Sequence, residues 1–518
     1  MTVSTTKNDI STDKTKQTIH YSNWQNILLG GVVLALVVIA IGMRLYHLGL
    51  PFDRDGYDEG VYWQTLRSMS SGSTLYQHIF YSQPPFFMLS TFPVYILFGS
   101  SLWSARLAMA LVSLFGLLGA FLLGKTLSGR LGAIAAMLLL IVNPLYLAQS
   151  QTIEAEISSA AFSLLAIGLS YLWWEHPEGT HGLFYAALTG IMITVSILCK
   201  LLSVSILVPI ALLMVTRLWQ IRHKQPGTRL IGLLPIFVGI AACILTFIVL
   251  LLPFNGSYQA MLQSVISFHN DAAQVYSSMQ QANISTIQDA LTSLLSLTAF
   301  FGIVAALLRR DWRVISLIAW LLATLYLLWH QVPLFTHHLL ALTPPLIALA
   351  VIGIGKPVAQ NKNISGGLVL RATSYISWIV MALILVTVIL NLQQDKLYYH
   401  AADASSVSGL TQLESKVAAD LRLATAPNQL VVTDAQFIAG LADRTTPAAL
   451  EDTSAVRISS GYLTLSQLES ATSQPQVRAV LFFTGRFYLP NIAGFHAWVA
   501  QKFHLLHNYG AGRELWVR

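Results

Sequence analysis

Long apolar segments with few charged residues recur between residues 27 and 391, and this feature restricts the possible folds more than any other. The segments are long enough, at ~1.5 Å of rise per helical residue, to cross the ~30 Å hydrocarbon core of a bilayer. Only 10% of the residues are charged, whereas a soluble domain carries roughly a quarter. The pattern excludes a soluble globular protein, a disordered chain and a disulfide-rich scaffold, and it predicts a polytopic α-helical membrane protein.

Eleven segments are predicted to span the membrane. They lie near residues 27–47, 103–125, 131–149, 157–174, 182–199, 201–217, 230–253, 288–308, 314–330, 338–355 and 372–391. A further apolar segment, 84–100, is at the lower length limit for a span and contains three prolines. If it does not span, fifteen Lys and Arg residues fall on the inner side, against three in the outer loops and two near the outer ends of spans. Segment 84–100 is therefore predicted to be a juxtamembrane helix along the outer interface.

This topology places the N-terminus in the cytosol and the C-terminus outside the membrane. Residues 1–26 are predicted to be a disordered cytosolic tail, 27–391 a transmembrane domain with a large outer loop at 48–102, and 392–518 an extracytoplasmic domain. That last region holds ten basic and ten acidic residues, so the net charge of +7 lies in the membrane part. The excess indicates membrane orientation and not nucleic-acid binding.

The extracytoplasmic region alternates between helix and strand patterns, which predicts a small α/β domain. The predicted elements are helices near 410–424 and 495–503 and strands near 429–434, 479–483 and 514–518.

The first outer loop carries an adjacent acidic pair, Asp58 and Glu59, with the aromatic neighbours Tyr57, Tyr62 and Trp63. A carboxylate at this place can act as a general base on a hydroxyl, because partial desolvation raises its pKa. The alternative is a hydrated acidic turn whose Tyr and Trp residues lie at the membrane interface.

A second acidic pair, Glu154 and Glu156, lies between the third and fourth predicted spans. Ionisable groups at a membrane boundary are costly unless they are wet or paired, which makes both residues functional candidates. Residues two positions apart point to different sides of a helix, so we expect at most one of them to face a shared cavity. The alternative is a hydrated helix start whose acids are favoured by the helix dipole.

Basic and imidazole side chains occur at two outer turns. Lys200 lies in a turn so tight that it is held near the bilayer surface, where it could bind a lipid phosphate or simply extend into water. His337 and His338 could donate to a phosphate or a hydroxyl, but adjacent residues do not share a helix face and are a weak metal signal. A polar pair at the interface is the favoured interpretation of the two histidines. The chain has no Walker loop, nucleophile elbow, dinucleotide fingerprint or zinc-type spacing.

These motifs follow one another in an order that resembles a known family. The acidic pair comes first, followed by Ser82-Gln-Pro-Pro-Phe86, Ser104-Ala-Arg-Leu107, the acidic boundary, the tight-turn lysine and the His-rich segment that ends in Pro344 and Pro345. Over roughly residues 27–355 the chain is similar to GT-C glycosyltransferases of the protein O-mannosyltransferase and aminoarabinose transferase type. Segment 442–462 looks like the extracytoplasmic tail of bacterial members.

The resemblance implies an inverting glycosyltransferase that moves a sugar from a polyprenyl-phosphate carrier to an acceptor hydroxyl on the outer face of the membrane. It also implies that Asp58 acts at the catalytic centre and that Lys200 contacts the carrier phosphate. The full set of candidate residues is Asp58, Glu59 and Glu156 for catalysis, Lys200, His337 and His338 for the donor phosphate, and Tyr57, Gln83, Arg106 and Glu154 elsewhere in the cavity.

Two positions depart from the family pattern. Gln83 stands where the aminoarabinose transferases have a lysine, and His337 and His338 stand where many members have Arg-Tyr. The expected partners are a polyprenyl-phosphate-linked sugar, membrane lipid and a protein, lipid or glycan acceptor, with no nucleic acid. No cofactor is identified, and the acidic residues are compatible with a divalent metal whose ligands the sequence leaves unknown.

A multi-span transporter is the alternative from another functional class. It would account for the spans and for the charges at their ends, but transporters favour internal repeats and a midplane site formed by broken helices. Here the sequence has no repeat of fixed period, and the ionisable candidates lie near one face. These features favour the glycosyltransferase.

Overall fold

The computed structural model describes residues 10–222, 225–355 and 367–518. Long apolar helices and the short helices between them make up the chain as far as Ser406. These helices are α1 (Ile10–Leu45), α2 (Asp58–Ser70), α3 (Phe86–Leu97), α4 (Leu102–Ile141), α5 (Pro144–Gln149), α6 (Ala155–Glu175), α7 (Gly179–Ile197), α8 (Leu207–Arg222), α9 (Pro226–Leu251), α10 (Tyr258–Leu262), α11 (Phe268–Val275), α12 (Gln280–Leu291), α13 (Leu294–Leu308), α14 (Arg313–His330), α15 (Thr343–Ile352) and α16 (Gly367–Ser406).

The helices confirm a polytopic α-helical membrane protein. Within the described ranges, eight helical segments are long and apolar enough to cross a membrane, or nine if the bent pair Ser277–Leu291 and Leu294–Leu308 forms one span. Two further features explain why the sequence predicts eleven spans and the described structure has nine at most. The fragment Thr336–Ile352 is apolar but shorter than a full span, and α4 contains two predicted spans in one continuous element.

A break at Ser128 and Gly129 divides α4 into those two parts. Gly129 has φ +69°, in the left-handed region that glycine adopts without strain. The two parts then pack closely together, because a Cβ atom on Gly124 would lie only 2.3 Å from the carbonyl oxygen of Gly132. The predicted spans 103–125 and 131–149 are therefore separated by a sharp change of direction, and the second of them is interrupted where α4 ends at Ile141 and α5 begins at Pro144.

The prediction for the N-terminal tail is wrong over most of its length. Helix α1 begins at Ile10, so residues 10–26 are helical and not disordered, while residues 1–9 lie outside the described part of the chain. Segment 84–100 does form a short helix, α3, as predicted. The predicted domain boundary after residue 391 falls inside α16, which continues to Ser406.

A small α/β domain follows α16. Its elements are α17 (Gly409–Ala424), β1 (Leu430–Thr433), α18 (Gln436–Leu441), α19 (Ala455–Ser459), α20 (Leu465–Thr472), β2 (Val477–Phe482), α21 (Phe495–Lys502), β3 (His504–Gly510) and β4 (Arg513–Val517). The sheet has the order β1-β2-β4-β3, with β1 and β2 parallel and the other pairs antiparallel. Alternate residues of β2 enter two separate apolar cores, one on each face of the sheet, as the two-residue period of a strand requires.

Helix α6 lies at the centre of the membrane bundle. Its side chains from Ala155 to Tyr171 are all buried, and it packs against both α4 and α7. Polar residues at its beginning are therefore carried into the interior of the protein at one end of the bundle. The candidate site is built around that end.

Candidate active site

A cavity of about 550 Å³ lies between the first loop, the turn before α15 and the α/β domain. A volume of this size is typical of a small-molecule site. The polar and charged residues that line it are Asp55, Tyr57, Asp58, Tyr62, Ser82, Gln83, Lys200, His269, Gln331, Thr336, His337, His338, Asp452, Ser454 and Arg486. Six of the ten residues in the predicted site set are among them.

Asp58 occupies the first turn of α2 and lines the cavity. Its backbone N–H donates to Oδ2 of Asp55 at 3.3 Å. Burial raises the pKa of the Asp58 carboxyl to about 7, and the charge of Asp55 adds to the shift. A carboxyl with this pKa can exchange a proton near neutral pH.

Asp55 has the opposite electrostatic behaviour. Burial alone would raise its pKa, but the hydrogen bond and the positive charge of His337 outweigh burial and lower the pKa of Asp55. Nδ1 of His337 lies 3.1 Å from Oδ1 of Asp55. The environments of Asp55 and Asp58 thus separate the pKa values of two neighbouring carboxyls, which is a common arrangement in acid–base sites.

Glu59, next to Asp58, is completely buried and points elsewhere. Its two oxygens accept hydrogen bonds from Nε and Nη2 of Arg106 at 2.8 and 2.6 Å. They also accept from the backbone N–H groups of Arg54 and Ile153. Glu59 and Arg106 were predicted to belong to the catalytic centre and the cavity, but neither lines the cavity. They form a buried ion pair that fixes the first loop to the bundle.

Lys200 is buried and forms an ion pair with Glu156. Lys200 therefore does not extend into water, which was the alternative to phosphate binding, because the short 3₁₀ helix Leu201–Ile206 follows it and packs against α6. Nε2 atoms of both His337 and His338 lie 3.6 Å from Oε1 of Glu156. One carboxylate oxygen therefore faces an ammonium group and two imidazoles.

The orientation of His338 is fixed by the backbone. The N–H of Phe335 donates to Nδ1 of His338 at 3.1 Å, so Nδ1 is an acceptor. In a neutral ring the proton then resides on Nε2, the atom that faces Glu156. His338 can thus present an N–H donor on the side of the cavity.

Both acids of the second pair belong to the ionisable cluster beside the cavity, but neither lines the cavity itself, which agrees with the expectation that at most one of them would. Glu154 is the residue before α6 and has an extended backbone, whereas Glu156 lies in the helix. The argument that residues two positions apart point to different sides of a helix therefore does not apply to this pair. Burial, followed by the charge of Asp55, raises the pKa of Glu154 well above its ordinary value. Glu154 approaches Asp55 and Asp58, whereas Glu156 pairs with Lys200.

Within the described ranges, two groups of side chains could hold a metal ion, because their ligand atoms lie within 4.8 Å of one another. One group is Glu156, His337 and His338, and the other is Asp55, Asp58, Glu154 and His337. Lys200 already neutralises the carboxylate of the first group. The second group is rich in oxygen ligands and carries three close carboxyls, so it is the better fit for a hard divalent cation.

The α/β domain contributes residues that the sequence analysis missed. Asp452 and Arg486 line the cavity, and the guanidinium carbon of Arg486 lies 3.8 Å from the ring centroid of Tyr57. The hydroxyl of Tyr57 accepts a hydrogen bond from the N–H of Thr453 at 2.7 Å. These residues are separated from the first loop by about four hundred positions, and no local pattern indicates that they meet it.

The same domain packs directly on α2. The side-chain amide of Gln64 donates to the carbonyl oxygens of Gln436 and Arg444 at 3.2 and 3.0 Å. Gly60 allows the closest approach, since a Cβ atom there would lie 2.6 Å from the backbone nitrogen of Phe437. The helix that begins with Asp58 is therefore positioned by the α/β domain as well as by the membrane bundle.

Comparison with known proteins gives a family match and a set of similar structures. Residues 82–247 match the family model described as dolichyl-phosphate-mannose-protein mannosyltransferase. The crystal structure of ArnT from Cupriavidus metallidurans bound to undecaprenyl phosphate is similar with 15% identity and a TM-score of 0.58, over 94% of this chain and 98% of that chain. The apo state of the same protein has 13% identity, the same TM-score and the same coverage.

An oligosaccharyltransferase from Archaeoglobus fulgidus, in a complex with Zn and sulfate, is less similar. It has 13% identity and a TM-score of 0.48, over 90% of this chain and 69% of that chain. Comparison with curated protein sequences gives no match.

The family match includes four of the features on which the resemblance was based, namely the double-proline segment, the Ser104–Leu107 segment, the acidic boundary before α6 and Lys200. The similarity to ArnT extends over nearly the whole chain and, at 15% identity, concerns the fold. The resemblance stated from the sequence is confirmed by the family match over residues 82–247, and the chain has the GT-C membrane fold.

Proposed function

We propose that the protein is an inverting glycosyltransferase that moves a sugar from a polyprenyl-phosphate carrier to an acceptor hydroxyl on the outer face of the membrane. The family match and the shared fold support a glycosyl-transfer reaction. The ArnT structure with undecaprenyl phosphate supports a carrier of the polyprenyl-phosphate class for this chain.

The observation that carries the proposal is the arrangement of opposite charges around one cavity. Asp58 lines it as a half-buried carboxyl, and Lys200 and the two histidines of the turn before α15 line it as donors. Glycosyl transfer with inversion needs both groups, because a base must take the acceptor proton while cationic donors stabilise the departing phosphate.

The proposed reaction is a single displacement at the anomeric carbon. The acceptor oxygen forms a bond to that carbon, its proton passes to the carboxylate of Asp58, and the bond between the carbon and the carrier phosphate oxygen breaks with its electron pair. The carrier leaves as a polyprenyl phosphate anion. No covalent enzyme intermediate is required, and the site contributes mainly by holding the two reactants in line.

Lys200 is proposed to stabilise the leaving phosphate while it remains paired with Glu156. An ammonium group has three donors, and Glu156 accepts one of them. The Nε2–H of His338 is a further donor on the same side. Glu156 thus keeps the cation in position before the carrier arrives, and a donor preorganised in this way needs no reorganisation during the reaction.

The proposal is tested with purified full-length protein in lipid nanodiscs. A panel of undecaprenyl-phosphate sugars labelled in the sugar is incubated with the protein and with cell-envelope extract as the source of acceptor. We expect label to leave one of the carriers and to appear in a product whose anomeric configuration is opposite to that of the donor. Retained configuration would exclude the single displacement.

A control variant and a measurement of lipid transport complete the test. Asp289 is an exposed acid outside the cavity, and Asp289→Asn should transfer label at the wild-type rate. If no labelled carrier loses its sugar in the presence of the wild-type protein, while labelled lipid crosses the bilayer of reconstituted vesicles, the transporter alternative would replace the glycosyltransferase.

A further inference from the structure

Arg486 is a cation that the α/β domain delivers to the active-site cavity. It lies between β2 and α21, is half-buried, and lines the cavity together with Tyr57 and Asp58. Its guanidinium carbon is 3.8 Å from the ring centroid of Tyr57, the residue directly before the proposed base. The charge is therefore held against the face of an aromatic ring beside the reacting groups.

The loop that carries Arg486 is rigidly held by a buried carboxylate. Asp434 is fully buried and accepts hydrogen bonds from the backbone N–H groups of Phe483 at 2.8 Å and of Arg486 at 2.9 Å. It also accepts from Thr484 at 3.2 Å, and Gly485 adopts φ +87° within the turn. An arginine on a loop fixed in this way loses little further freedom when it binds a ligand.

The guanidinium of Arg486 has no hydrogen-bond or ion-pair partner within residues 10–222, 225–355 and 367–518. The nearby carboxylate of Asp452 is engaged elsewhere, since its Oδ1 accepts from the N–H of Ser454 at 2.7 Å. Lys200, the other Lys or Arg side chain that lines the described cavity, is paired with Glu156. Arg486 thus brings a positive charge into the cavity without a carboxylate that neutralises it.

From this geometry we infer that Arg486 binds an anionic group of the acceptor, a phosphate or a carboxylate. The inference rests on the proposed function, which assigns Lys200 to the carrier phosphate and Asp58 to the acceptor hydroxyl. A guanidinium group matches both anions with two parallel N–H donors. Because Arg486 contacts the residue next to Asp58, an acceptor held by Arg486 brings its hydroxyl to the side of the cavity where the base lies.

The test measures anion binding in the absence of any sugar donor. Full-length protein in nanodiscs is first saturated with undecaprenyl phosphate, and inorganic phosphate is then titrated as the probe and followed by phosphorus NMR line broadening. We expect Arg486→Gln to weaken phosphate binding by about 10- to 100-fold, the loss typical of hydrogen bonds to a charged group. Arg486→Lys keeps the positive charge but lacks the two parallel N–H donors, so it should give an intermediate phosphate affinity.

Arg513 provides the matched control. It belongs to the same domain and also lies near an aromatic ring, with its guanidinium carbon 4.9 Å from the centroid of Phe483, but it does not line the cavity. Arg513→Gln should leave phosphate binding unchanged. If Arg486→Gln is poorly folded by thermal unfolding, the comparison of Arg486→Lys with the wild type decides.

Three results would overturn the inference. If phosphate does not bind to the carrier-saturated wild type, the proposed anion site does not exist. If the wild type and both Arg486 variants bind phosphate with equal affinity, Arg486 only balances the negative charge of the acidic residues that line the cavity. A loss of undecaprenyl phosphate affinity in Arg486→Gln would assign the anion to the carrier and not to the acceptor. Since no turnover is involved, these results are separate from a failure of the proposed transferase reaction.

Discussion

Glu59 and Arg106 form a two-fold hydrogen-bonded ion pair, with N–O distances of 2.8 and 2.6 Å, and both side chains are completely inaccessible to solvent. Arg106 also donates to the carbonyl oxygens of Leu48 and Phe52. The pair therefore joins α4 to the loop that leads into α2. Asp58, one residue before Glu59, is free of this network and lines the cavity.

Glu59→Gln should destabilise the protein more than it impairs the chemistry. Loss of one partner of a buried pair leaves an uncompensated charge, and the typical cost is about 3–5 kcal/mol. We expect a lower thermal unfolding temperature in nanodiscs and a reduced yield, with residual protein that retains most of its turnover. If the melting temperature is unchanged while turnover falls as far as in Asp58→Asn, Glu59 acts in catalysis and not in structure.

Gly60→Ala should disturb the contact between α2 and the α/β domain. The new Cβ atom would lie 2.6 Å from the backbone nitrogen of Phe437, and overpacking of this kind costs typically about 1–3 kcal/mol. We expect a lower turnover and faster proteolysis between α16 and α17. Gly409→Ala is the control, because a Cβ atom there meets nothing within 4 Å. Equal turnover rates and equal proteolysis rates for the two variants would mean that docking of the domain does not position α2.

The sequence allowed much of the fold to be predicted, because lipid exposure leaves long apolar segments and strands leave a two-residue period. It also made candidates of Asp58 and Lys200, which line the cavity, since ionisable residues at membrane boundaries are rare. For His337 and His338, which line it too, the sequence favoured a polar pair at the interface. It could not distinguish Asp58 from Glu59, because adjacent acids differ only in the direction of their side chains. Arg486 was missed because its role depends on docking between distant parts of the chain.

The orientation in the membrane stays a prediction based on the distribution of basic residues. A cysteine introduced at the exposed Ser473 of the α/β domain should react with an impermeant maleimide in intact cells. A cysteine introduced at the exposed Thr180, in the first turn of α7, should react only after permeabilisation. The native Cys199 is buried and Cys243 lies within α9, so a protein without added cysteine gives the background. The reverse labelling pattern would invert the proposed topology.

The rate should depend on pH through Asp58. Burial, aided by the charge of Asp55, raises the pKa of Asp58 from 3.8 to about 7, so the carboxylate form required of a base is lost as the pH falls below that value. We expect kcat to decrease about tenfold per pH unit on the acid side. A pH profile that is flat between pH 5 and 8 would contradict the role of a carboxyl with this pKa.

Stability should show the opposite dependence. The folded protein holds the Asp58 proton between pH 3.8, the ordinary value, and about 7, where the unfolded chain has lost it. The contribution of Asp58 to the free energy of unfolding is therefore full below that window and is lost as the pH rises through 7. Asp58→Asn should remove this part of the pH dependence, which thermal unfolding at a series of pH values would detect.

The central claim is that Asp58 takes the proton of the acceptor hydroxyl, and the most direct measurement is the rate of label loss from the polyprenyl-phosphate sugar in Asp58→Asn. Asparagine keeps the size of the side chain but cannot accept a proton near neutral pH. The account predicts a turnover about 10²- to 10⁴-fold below that of the wild type and of Asp289→Asn, with unchanged affinity for undecaprenyl phosphate and an unchanged protein yield. A folded Asp58→Asn protein that transfers sugar at nearly the wild-type rate would contradict it.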